Sequence, residues 1–133
     1  MSQQATQAEP QLPLGSNPRA RLGAQGEAVA ARYLQRCGLV VLDRNWRCRD
    51  GEIDLVATDG DTLVIVEVKT RSGIGFGRPA EAVTRQKLAR MRRLAQLWLA
   101  ANGVGWVEIR FDVVAVLACP GAPLELEHFP GVF

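Results

Sequence analysis

The run Leu63-Val64-Ile65-Val66-Glu67-Val68-Lys69 decides how this chain is read. An apolar stretch closes on a carboxylate and an ammonium two positions apart. Side chains two apart on a strand point the same way, so Glu67 and Lys69 share a face. Burying charge is costly, so two charges at the end of an apolar strand need a purpose. The preceding segment, Gly51-Glu52-Ile53-Asp54-Leu55-Val56-Ala57, carries a second inward carboxylate, Asp54. Asp59-Gly60 between the two segments is a hairpin signal. A two-residue turn there sets Thr58 opposite Asp61 and Asp54 opposite Ile65. Glu67 is then the diagonal neighbour of Asp54, roughly 7–8 Å away between Cα atoms. A three-residue turn would send the two carboxylates to opposite faces.

The rest of the chain supplies a frame for this hairpin. Residues 19–37 read as a helix with Leu22, Gly26, Val29, Tyr33 and Cys37 as its apolar stripe, stopped by Gly38. Residues 39–48, 52–58 and 62–70 read as successive strands. A helix from Pro79 to about Ala101 follows, with Val83, Met91, Leu94 and Trp98 on its buried side. Strands at 106–117 and 124–129 complete the order αβββαββ. A crossover helix between the third and fourth strands requires a parallel or mixed sheet covered by helices. Residues 1–18, rich in Gln, Pro, Ser and Ala, are expected to form a disordered tail on a single domain at 19–133.

Gly51-Glu52-Ile53-Asp54 followed by Glu67-Val68-Lys69 resembles the split Asp…Glu-x-Lys core of the PD-(D/E)xK nuclease superfamily. The chain is most similar to the YraN-like (UPF0102) family, itself similar to archaeal Holliday-junction resolvases. Gly23-Ala24-Gln25-Gly26-Glu27, Arg44-Asn45-Trp46-Arg47 and Phe76-Gly77-Arg78-Pro79-Ala80-Glu81-Ala82-Val83 fit the same family, in the same order. The resemblance implies an α/β, restriction-endonuclease-like fold with a mixed central sheet flanked by helices. It also implies a Mg²⁺- or Mn²⁺-dependent endonuclease acting on structured or branched nucleic acid, DNA being the expected substrate, as a homodimer. The alternative is a non-catalytic nucleic-acid-binding or adaptor protein that keeps the fold.

Asp54 and Glu67 are the expected metal ligands, with the Val68 carbonyl as a further one. All-oxygen ligation suits Mg²⁺ or Mn²⁺. Lys69 would orient a water or stabilise charge on the phosphate. Glu27 matches the first-helix glutamate that joins the metal site in resolvase-like nucleases. Arg85, Gln86, Arg90 and Arg93 line one face of the second helix and are candidate phosphate contacts, with Lys87 directed toward the metal site. Arg71 and Arg47 flank the same groove. Glu52 is expected to be solvated and Asp112 to be a structural hydrogen-bonding partner.

Composition narrows the remaining choices. At 133 residues with 47% hydrophobic content, the chain is one globular domain. A formal net charge of +2 does not announce a nucleic-acid binder, so the clustering of arginines at 85–93 matters more. Cys37, Cys48 and Cys119 are odd in number and scattered, which argues against a disulfide framework or zinc ribbon and for a cytoplasmic protein with reduced thiols. No stretch reaches transmembrane length, and Met1 to Pro18 lacks the apolar core of a secretory leader. With His128 as its single histidine, the chain has no catalytic histidine dyad, and the glycine-rich loop at 73–77 lacks the Gly-Lys-Ser/Thr ending of a P-loop.

Overall fold

The computed structural model describes residues 18–72 and 84–132. Within them lie α1 (Pro18–Arg36), β1 (Val40–Cys48), β2 (Gly51–Asp59), β3 (Thr62–Ser72), α2 (Arg85–Ala101), β4 (Glu108–Ala118) and β5 (Glu125–Phe129). The order is the expected αβββαββ. The tail at 1–17, the glycine loop at 73–77 and the helix start at 79–83 fall outside the described residues. Pro18, read from sequence as tail, instead opens α1. Proline suits a first helical turn, where its missing N–H has no partner to lose.

Among the described residues one five-stranded sheet runs β1-β2-β3-β4-β5 in space. The β1–β2, β2–β3 and β4–β5 pairs are antiparallel, while β3 and β4 are parallel. The parallel register runs from Thr62↔Glu108 to Ser72↔Ala118, so the whole of β3 is paired on that side. α2 makes the crossover that parallel neighbours need. This is the mixed, helix-flanked sheet of the restriction-endonuclease-like architecture expected above.

Each helix buries one side of the sheet. Under α1, Ala30, Ala31 and Leu34 pack with Leu55, Ala57, Val64, Val66, Val114 and Val116. Under α2, Met91, Leu94, Trp98 and Leu99 pack with Val56, Leu63, Ile65 and Phe111. Alternate residues of β3 therefore serve opposite layers, which is why its sequence is continuously apolar. On α2, Met91, Leu94 and Trp98 of the expected stripe are buried, while Val83 lies outside the described residues. On α1 the stripe is centred on Ala30 and Leu34 instead of Val29 and Tyr33, which are half-buried, and Cys37 is exposed. Small alanines let α1 settle close to the sheet.

The hairpin turn also differs from expectation. Gly60 and Asp61 form it, with Asp59↔Thr62 and Thr58↔Leu63 as the closing pairs. Gly60 takes φ +61 at the first turn position, a conformation that favours glycine. The pairing is shifted by two residues from the one read off the sequence. An even shift preserves faces, so Asp54 and Glu67 still meet.

Candidate functional site

Strands β2 and β3 part company where the carboxylates lie. Their paired residues run from Asp59↔Thr62 to Leu55↔Val66, after which β2 continues to Gly51 paired with β1. Continuing the register places Asp54 directly across from Glu67; Ile65, the partner expected from sequence, pairs with Val56. Residues two apart on a regular strand share a face. Leu55 nevertheless packs under α1 and Ile53 under α2. The twist that separates them is centred on Asp54. Across from it on β1, Asn45 sits at φ +51, a left-handed conformation that asparagine tolerates better than most residues. The freed Asp54 side chain reaches β3, where its Oδ2 accepts the Val68 N–H at 2.8 Å. A side chain thus replaces a rung of the ladder and holds the fork open.

Glu67 lies on the other prong. Its Oε2 accepts from Lys69 Nζ at 2.7 Å and from Lys87 Nζ at 2.8 Å. Burial pushes the Glu67 carboxyl up, but the two ammonium groups outweigh it and hold it below the ordinary carboxylate value. The same contact raises Lys69. Asp54 goes the other way, to about 6, because burial and the nearby Glu27, Glu67 and Glu52 charges outweigh the Val68 hydrogen bond. Two carboxyl groups with opposite shifts therefore face one cavity of about 330 Å³. Glu52, Lys69, Lys87 and Arg90 complete its polar lining.

Glu27 stands at the edge of this group. Burial raises its carboxyl, and Asn45 is its hydrogen-bonding side chain. Its place depends on Gly26, which is buried against Thr70: a Cβ there would overlap Thr70 Oγ1. Gly26→Ala is expected to destabilise the protein by about 1–3 kcal/mol, the usual cost of overpacking. Adding Thr70→Ala should recover most of that loss, because it removes the colliding atom. Urea unfolding of both variants checks this; a harmless Gly26→Ala would show that α1 does not rest on Thr70.

The basic residues fall into two sets. Arg71, Arg85, Gln86 and Arg90 are exposed, and no carboxylate among the described residues pairs with these arginines. Arg47 pairs with Glu52 at 3.1 Å and Arg93 with Asp50 at 3.4 Å, both near the surface. Exposed pairs of this kind are weak and exchange readily for a phosphate. Arg71 lies within electrostatic reach of Lys69. Trp46 packs partly into the α2 layer.

Among the described residues no three His, Cys, Asp or Glu side chains converge on one point. The donors that do face each other are two carboxylates, Asp54 and Glu67. That set fits Mg²⁺, which keeps several waters and is commonly held by one or two carboxylates.

Sequence reading gave Asn45 no role and saw only part of a second polar cluster. Asp112 on β4 is fully buried. Arg110 donates to both its oxygens at 2.9 Å, the Gly131 N–H donates to Oδ1 at 3.0 Å, and His128 Nε2 lies 2.8 Å from Oδ2. Tyr33 Oη is 3.3 Å from His128 Nδ1, and Arg110 also meets Asp59 at 3.1 Å. Burial raises the Asp112 carboxyl, but Arg110, Gly131 and His128 together bring it below its ordinary value. The expected structural role for Asp112 fits this saturated network.

Fold and site together define a mixed-sheet α/β protein with a carboxylate–lysine centre at a fork between two strands. The chain belongs to the uncharacterised protein family UPF0102, which matches residues 26–116. A UPF0102 protein of Beutenbergia cavernae is 60% identical over 111 residues, covering 84% of this chain and 94% of that protein. One from Nocardia farcinica is 56% identical over 112 residues, covering 84% and 88%. Among solved structures, the Holliday junction resolvase Hjc of Archaeoglobus fulgidus matches with a TM-score of 0.43 and 16% identity, covering 80% of this chain and 73% of that one.

Proposed function

We propose that the protein is a divalent-metal-dependent endonuclease acting on structured or branched nucleic acid, DNA foremost. The observation that carries this reading is the pairing of Asp54 with Glu67 across an open fork, with Lys69 on the same face as Glu67. Asp54 and Glu67 would hold Mg²⁺ or Mn²⁺, with the Val68 carbonyl and Glu27 near enough in the fold to assist. When bound, the ion supplies Lewis acidity at the phosphate and lowers the pKa of the attacking water. Lys69 keeps a full positive charge beside the scissile group, where it can donate to a phosphate oxygen as negative charge develops. Arg71, Arg85 and Arg90 supply unpaired positive charge for the backbone, and Arg47 and Arg93 add more once they leave their surface partners. Two such sites are needed to cut a branched substrate symmetrically, so a homodimer belongs to the proposal.

The test is cleavage of labelled four-way junction, flap, single-stranded and linear duplex DNA with Mg²⁺ or Mn²⁺. Wild type should cut at least one branched substrate, and Glu67→Gln should lower the rate by about 10²–10³-fold, as expected when the ion that stabilises transition-state charge is held less well. One observation favours a second reading, a nucleic-acid-binding adaptor without cleavage. Glu67 already satisfies two ammonium groups and needs no metal for charge balance. Binding of junction DNA with no cleavage in either metal would select that reading.

A further inference from the structure

Glu67 carries one cation more than its own strand requires. Lys69 is its neighbour two residues on and reaches Oε2 by strand geometry alone. Lys87 comes from a different layer, 20 positions away in sequence, to the same oxygen at 2.8 Å. Its side chain is 25% exposed and Glu67's is 17%, so the contact is partly shielded from water. Lys87 also occupies an unfavourable place for a cation. It lies in the first turn of α2, where the helix dipole favours acidic residues, yet that turn holds Arg85 and Lys87 and no acidic residue. Thr84 Oγ1 caps the helix by accepting the Lys87 N–H at 3.1 Å, which fixes the backbone from which the lysine extends. Two ammonium groups on one carboxylate oxygen repel each other, and together they supply the charge of one divalent ion.

We infer that Lys87 is a displaceable counter-cation. In the metal-free protein it occupies Glu67, and a divalent ion entering the fork must eject it. The inference rests on the metal-site reading above and adds the competition that governs loading of that site. Lys87 is better placed to leave than Lys69, which shares its strand and face with Glu67. The ejected Lys87 stays in the same cavity with Arg90, where its chemistry suits a substrate phosphate oxygen. Metal loading is thereby linked to release of the N-terminal turn of α2 from β3.

The sign of the effect separates this role from a merely structural one. A residue that only props up the site weakens metal binding when it is removed, whereas a competitor strengthens it. Mn²⁺ binding to the full-length protein would be followed by calorimetry for wild type, Lys87→Met, Lys87→Arg and Arg92→Gln. Lys87→Met keeps the aliphatic stem and should bind about tenfold more tightly, the order expected for losing one nearby competing charge. Lys87→Arg, which keeps the charge, should bind as wild type does. Arg92→Gln removes a charge from an exposed position of the same helix and should also leave affinity unchanged. Hydrogen exchange at 85–90 should rise when Mn²⁺ is added to wild type and stay constant in folded Lys87→Met. Equal or weaker Mn²⁺ binding by Lys87→Met, with folding verified by circular dichroism, overturns the inference and leaves the metal site standing. Absence of Mn²⁺ binding in all four proteins overturns the metal-site reading itself, and this inference with it.

Discussion

Asp54→Asn is expected to stabilise the metal-free protein at pH 7 while abolishing its Mn²⁺ binding. Asparagine keeps an oxygen that can accept the Val68 N–H, so the contact that shapes the fork is retained. What disappears is a charge the fold disfavours. The Asp54 carboxyl is raised from its ordinary 3.8 to about 6, chiefly by burial and then by Glu27, Glu67 and Glu52. A carboxyl with a raised folded-state pKa stabilises the fold fully below pH 3.8 and loses that contribution as pH climbs through about 6. Wild type should therefore lose stability relative to Asp54→Asn across that window, by about 2 kcal/mol once solvent screening is allowed for. Urea unfolding at pH 3.5 and pH 7 in EDTA reads the difference directly. Calorimetry with Mn²⁺ reads the other half, because losing one of two carboxylates leaves too little negative charge to hold the ion. A variant that is less stable at pH 7, or that still binds Mn²⁺, would remove Asp54 from the site.

Asp112→Ala should produce the largest loss of stability. The residue is fully buried, and its removal strands the Arg110 guanidinium, the Gly131 N–H and the His128 ring together. Deleting one partner of a buried ionic group typically costs about 3–5 kcal/mol. That is a large share of the stability of a domain this size. Asp112→Asn retains an acceptor and should lose less. Chemical denaturation ranks the two. A loss below about 1 kcal/mol for Asp112→Ala would mean that water replaces the network without penalty.

Much of this architecture was legible because the signals were local. The alternation of charges after Val66, the turn residues around Gly60 and the helical spacing of Met91, Leu94 and Trp98 each depend on neighbours within a few positions. The hairpin register was displaced by two residues because both Asp59-Gly60 and Gly60-Asp61 satisfy a two-residue turn, and the choice is made by packing on either side of β3. The α1 stripe was misplaced because alanine carries little hydrophobic signal, although Ala30 and Ala31 are wholly buried. Lys87 was legible as pointing toward the site from its helical position, but not as sharing one oxygen with Lys69. The twist that turns Ile53 and Leu55 to opposite layers was illegible, because strand periodicity assumes a regular backbone. Arg110, His128 and Tyr33 converge on Asp112 only after distant strands have paired, so their partnership left no pattern in the sequence.

The fork at Asp54 is assembled from short-range pairings: 14 positions separate Asp54 from Val68, whose amide it binds. The strand that supports β3 from the other side arrives late in the chain, with 46 positions between Thr62 and its partner Glu108. Closing a loop of that length carries an entropic cost before any contact repays it, and such pairings slow folding. The geometry of the centre is therefore a local property of one meander, and its rigidity a borrowed one. A lesion in β4 or β5 removes no residue of the centre and loosens the wall behind it, so damage to the centre can originate in strands that lend it no side chain.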